Sequence, residues 1–193
     1  MKNNIEQLAF SWINSSLEKI DQNNKYYCVT RDVFQARLDH LEYDLKNNLS
    51  KDFVYLISAI AGEIGNNSFD HNLGSWPDVT GIFFGYNIDN KIIKIILVDR
   101  GQGILKTLKK IKPNLKNDQE ALKTAFYERI SGRAPENRGN GLKFVRESIL
   151  DNKIYLDFYS GNAQATLNHE FAIKKSEYVI KGCLAILNIQ ITE

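Results

Sequence analysis

The segment IIKIILVDRGQGI, residues 92–104, decides the fold. Its first seven residues are apolar and mostly β-branched, broken only by Lys94, which is how a strand reads. The run ends in an acid, Asp99, followed by Gly101 and Gly103. Glycines there let the backbone turn sharply and approach a neighbour or ligand closely. Residues 79–88 read as a second strand, and the intervening Asp89-Asn90 is suitable for a hairpin turn.

Working outward, the chain before this hairpin is helical. Residues 5–20 carry a moderate helical pattern, and 26–30 read as a short strand. A helix capped by Asp32 is expected to run to about residue 48, and another, capped by Ser50, to about 72. After the hairpin, helices are expected at about 104–111, 118–130 and 142–150. Strands follow at 154–160, 163–173 and 178–191, the last two forming a hairpin. Early helices and strands grouped in hairpins point to an α+β fold: a two-layer α/β sandwich whose mixed, mainly antiparallel sheet is covered by helices. One domain is expected over 1–193, with 1–25 as a helical extension that either packs on the domain or mediates a homodimer.

Composition narrows the function classes. A net charge of +2 with acids and bases interspersed gives no clustered basic face, so nucleic acid is not the expected partner. No apolar run reaches transmembrane length, and the N-terminal residues lack the features of a leader, so a cytoplasmic protein without a membrane partner is expected. The two cysteines, Cys28 and Cys183, lie far apart in apolar stretches and read as buried free thiols.

Three motifs carry candidate chemistry. In AGEIGNNSFDHN, residues 61–72, Glu63, Asn67, Asp70 and His71 fall on one face of a helix at about 100° per residue. Small neighbours leave room beside that face for a ligand or metal; a merely solvated face is the plainer alternative. In the second motif, Asp99 at a strand end can accept a hydrogen bond from a ligand's exocyclic amine, although Asp-Gly turns are common after strands. In NRGNGLKFVRESIL, residues 137–150, Gly139 and Gly141 precede a helix whose N-terminus would suit phosphate, with Arg133, Arg138 and Lys143 adding positive charge. GQGILKT lacks the glycine a P-loop needs before Lys106, and no dinucleotide fingerprint follows a strand.

In order and spacing these motifs resemble the N, G1 and G2 boxes of the gyrase/histidine-kinase/MutL (GHKL) ATPase superfamily. The matching residues are Glu63-Asn67-His71, Asp99-Gly101-Gly103 and Gly139-Gly141-Leu142, and the closing strand from Gly182 looks like the family's last glycine-led strand. The resemblance implies ATP and Mg²⁺ as cofactors. Asn67 would hold Mg²⁺, Asp99 would read the adenine amine, and Gly101, Gly103 and Ile104 would pass the base. Arg138, Gly139, Asn140, Gly141 and Leu142 would wrap the phosphates. Residues 131–140 would form the ATP lid, and Glu63 would act as catalytic base. Asp70 and His71 match different branches of the superfamily. Neither His40 nor His169 sits in the context of a phosphorylated histidine. The overall likeness is to stand-alone bacterial anti-sigma-factor-kinase-like proteins that work with STAS-like or sigma-factor-related partners. Phosphoryl transfer to Ser/Thr, slow hydrolysis and ATP sensing without chemistry all remain compatible with it.

Overall fold

The computed structural model describes residues 4–21, 23–89, 91–128 and 141–191. The described chain runs α1 (Ile5–Asn14), a single 3-10 turn (Leu17–Lys19), β1 (Tyr27–Cys28), α2 (Arg31–Leu45) and α3 (Lys51–Asn72). It continues through β2 (Ile82–Ile88), β3 (Ile92–Asp99), α4 (Gly103–Lys109), α5 (Asp118–Tyr127), α6 (Gly141–Leu150), β4 (Ile154–Asn168) and β5 (Glu170–Gln190). The five strands form one open sheet in the order β1-β2-β3-β5-β4, with every neighbouring pair antiparallel. The fold is α+β.

Alternation along the strands sorts the sheet into two faces. Ile93, Ile95 and Leu97 of β3 join Leu187 and Ile189 of β5 in the main core, where α2, α3, α5 and α6 cover them. Ile96 and Val98 point the other way and pack with Leu184 and Ile186 against Ile5, Ala9, Trp12 and Ile13 of α1. The N-terminal helix is therefore packed on the reverse face of the sheet. Burying Ile5 and Ile13 there stabilises its docking by roughly 1.5–3 kcal/mol for each side chain.

Local chemistry moved several boundaries. α1 stops at Asn14, because Ser15 and Ser16 are extended, and residues 17–19 make only the separate 3-10 turn. α2 starts two residues earlier than expected: Thr30, not Asp32, is its cap, its hydroxyl accepting the Val33 amide at 3.3 Å. The expected strand 154–160 runs on through residues 163–168 as one long strand, β4, with a register shift around Gly161 (φ +59), while residues 170–173 open β5. The hairpin that joins β4 to β5 turns at His169 (φ +56), inside the span expected to be strand. That arm folds onto α5, where Phe126 meets Phe158 and Phe171 at ring-centroid distances of 5.5 and 5.3 Å.

Candidate functional site

The hinge of the site is the end of β3. Asp99 falls on the helix-covered face, in step with Ile93, Ile95 and Leu97, and is 2% exposed. Its Oδ1 accepts the Gly101 amide and its Oδ2 the Ser68 hydroxyl, both at 2.7 Å. The Cys183 amide and thiol also hydrogen-bond to this carboxyl, so a ligand donor would compete with or replace one of these partners. Burial raises the Asp99 pKa above the usual carboxylate value, opposed by hydrogen bonds from Ser68, the Gly101 amide and Cys183. Next to it Cys183 has its thiol pushed well up, first by burial and then by the Asp99 charge, and it donates to Ser160 Oγ at 3.7 Å.

The loop after Asp99 is fixed from the α3 side. The Asn72 side chain accepts the Gln102 amide at 2.8 Å and donates to the Ser68 carbonyl at 2.8 Å. Gly101 lies so close to it that a β-carbon would fall 2.1 Å from the Asn72 amide nitrogen. α4 then begins at Gly103, whose φ of +75° disfavours any other residue. Ile104 N donates to Ser160 Oγ at 2.9 Å, and that hydroxyl donates to the Gly182 carbonyl at 2.9 Å. Gly182 (φ +88) packs directly on Asp99.

A cavity of about 460 Å³ opens between α3, the end of β3, α4, α5, α6 and β5. That volume suits a small-molecule ligand. Glu63, Asn67, Asp70 and His71 all reach its lining from α3, as the helical face predicted, together with Asp99, Gly103, Ile104, Gly141 and Leu142. Gly101 is not in the lining; it sits behind the loop, against Asn72. Arg133, Arg138, Gly139, Asn140 and the expected lid over 131–140 lie outside the described residues. Lys143 is directed to Glu147 at 3.9 Å and does not line the cavity.

Asp99 lines the cavity together with apolar side chains, among them Ile64, Leu97, Leu108 and Phe158. Glu63 and Asn67, also in the lining, meet the first turn of α6. A β-carbon on Gly141 would lie 2.6 Å from Glu63 Oε2 and 3.1 Å from Asn67 Nδ2. Asp70 is ion-paired with Arg31, a lining residue at the start of α2. Ser68, Asn72 and Arg31 were not singled out in the sequence, and Cys183 was read there only as a buried thiol. Ser68 and Asn72 share α3 with the expected residues, whereas Arg31 and Cys183 arrive through tertiary packing alone.

The donor set can be tested against Mg-ATP. Among the described residues no group of three or more His, Cys, Asp or Glu side chains could cage a metal. Mg²⁺ does not require such a cage, because it is commonly held by one or two protein oxygens plus phosphate and water. The Asn67 side-chain oxygen is placed to be one such oxygen, close to a helix N-terminus that favours anions, with the Glu63 carboxylate beside it and free to take a proton. The same lining holds a buried acceptor, Asp99, suited to a flat heterocycle with an exocyclic amine. The residues fit the group.

No protein-family model matches this chain, and no curated protein matches it. No described helix is long and apolar enough to cross a membrane.

Proposed function

We propose that this protein is a GHKL-type regulatory domain that binds Mg-ATP and acts on a protein partner, by phosphoryl transfer to Ser/Thr or by slow hydrolysis. The observation that carries the reading is the convergence on one cavity of residues from three separate stretches: Glu63 and Asn67, Asp99 with Gly103 and Ile104, and Gly141 with Leu142. A partner of STAS-like or sigma-factor-related type fits the sequence resemblance and belongs to the same proposal.

In this reading each residue has a defined task. Asp99, its carboxylate oriented by Ser68 and the Gly101 amide, accepts from the adenine amine. The apolar walls exclude water around the base. Asn67 would hold Mg²⁺, and the first turn of α6 would take phosphate oxygens. Bound Mg²⁺ would supply charge neutralisation on the phosphates, which acts with positioning in phosphoryl transfer. Glu63 accepts the proton of the attacking hydroxyl or water, the task of a general base.

The test is a calorimetric titration of Mg-ATP into wild type, Asp99→Asn and Asn67→Ala. Saturable binding by the wild type, weakened in both variants, supports the assignment. A folded wild type that takes up no nucleotide contradicts it.

A further inference from the structure

Arg100 follows the proposed adenine-reading residue and points to the opposite side of the sheet, where it is 6% exposed. Its Nη1 lies 2.8 Å from the Trp12 carbonyl, 2.9 Å from Ile13 and 2.8 Å from Ser15. Its Nε and Nη2 grip Asp78, the Nη2–Oδ2 distance being 2.6 Å. The guanidinium also lies over the Trp12 ring, 5.9 Å from its centroid. The last carbonyls of a helix have no partner within the helix. Here one arginine, more than eighty residues away in sequence, satisfies three carbonyls at the end of α1. The hydrogen bonds from Arg100 hold the Asp78 carboxyl below the ordinary range, consistent with a tight forked pair.

The loop of residues 99–102 is thus held from two sides. On the cavity side Asn72 fixes Gln102, and Gly182 packs on Asp99. On the reverse side its restraint is Arg100, and three of that side chain's acceptors belong to α1. Undocking α1 would strip those acceptors and the Trp12 cover from a buried cation. The guanidinium would then rehydrate by moving outward, and residue 100 would move with it, one peptide bond from Asp99.

Resting on the nucleotide-site reading, we propose that Arg100 is a positioning residue that couples docking of α1 on the back of the sheet to the nucleotide-binding form of the Asp99–Gly103 loop. α1 then acts as a strap: whatever loosens it weakens the site from the far side, without contact with the ligand. Coupling between two sites is reciprocal, so nucleotide must hold α1 down by the same factor by which docked α1 strengthens nucleotide binding.

The experiment uses the full chain. Hydrogen exchange of the α1 amides is followed with and without saturating Mg-AMP-PNP, beside calorimetric affinities for wild type, Arg100→Gln and Ile5→Ala. Ile5 packs on Gly85 at the other end of α1, nine residues and about 13 Å along the helix from Asn14, so its truncation weakens docking without touching the loop. Arg100→Gln is expected to weaken nucleotide binding about tenfold, inside the usual range of coupling between sites, and Ile5→Ala to weaken it in the same direction by less. Nucleotide is expected to slow α1 exchange in the wild type and not in Arg100→Gln. The proposal is overturned if the wild type binds nucleotide with no change in α1 exchange, or if either variant loosens α1 and binds as tightly as wild type. A wild type that binds no nucleotide removes the site reading itself, a different failure, and the coupling falls with it.

Discussion

Replacing Gly182 with alanine probes the packing that holds Asp99 in place. The residue has φ +88, and a β-carbon there would lie 2.3 Å from the Asp99 carbonyl oxygen, 2.6 Å from Asp99 Oδ1 and 2.7 Å from the Gly101 amide nitrogen. The backbone conformation alone costs an L-residue about 1–2 kcal/mol. Overpacking against backbone atoms that cannot rotate away adds about 1–3 kcal/mol, so roughly 2–5 kcal/mol is expected in total. Gly74→Ala is the matched control: its φ is +68 and nothing lies within 4 Å of the added carbon, so it carries the strain alone. At about 2–4 °C per kcal/mol for a domain of this size, Gly182→Ala should lower the Tm by roughly 10 °C and Gly74→Ala by less than half as much. Urea denaturation of both variants at equal m-value is the assay. Gly182→Ala costing no more than Gly74→Ala would refute the claim that this glycine is required by contact with Asp99.

Two further outcomes are expected. Asp99→Asn should stabilise the ligand-free protein at pH 7 by on the order of 1 kcal/mol while weakening nucleotide binding, because the site buries a charge that the fold alone does not need. The sign follows from the raised pKa: the folded state disfavours the ionised carboxyl, so the penalty is full above the raised value and vanishes as pH falls below the ordinary carboxylate value of about 3.9. Denaturation at pH 7 and pH 4 checks it, and a variant less stable than wild type at both would contradict the reasoning. Glu63→Gln should leave Mg-ATP affinity near wild type and reduce phosphate release or transfer by about 100-fold or more, the usual weight of a general base. Unchanged turnover would make Glu63 a bystander.

How much was legible in the sequence depends on whether the information is local. α3 was legible because its apolar positions repeat at helical spacing while Glu63, Asn67, Asp70 and His71 interrupt them on one face, and all four reach the cavity. β3 was legible because seven residues of nearly unbroken apolar character can hardly be anything else. The β4–β5 arm was not. Gly161 looks like the end of a strand, but its positive φ makes a bulge through which the ladder continues. The real turn is at His169, a residue type that carries only a weak left-handed preference. The end of α1 was hidden for another reason: Arg100, far along the chain, supplies the hydrogen bonds that finish it. The same holds in the site, where Gly101 looked like a ligand-contacting glycine and is instead required by the Asn72 side chain behind it.

The most direct test of the central claim is an amide chemical-shift map of the ¹⁵N-labelled protein titrated with Mg-AMP-PNP. The account expects the largest shifts in three separate stretches, residues 63–72, 99–104 and 141–142, moving together with a single affinity that is weakened in Asp99→Asn. Shifts confined to the outer surface of α4 or to the β4–β5 arm, or none at millimolar nucleotide, would contradict it.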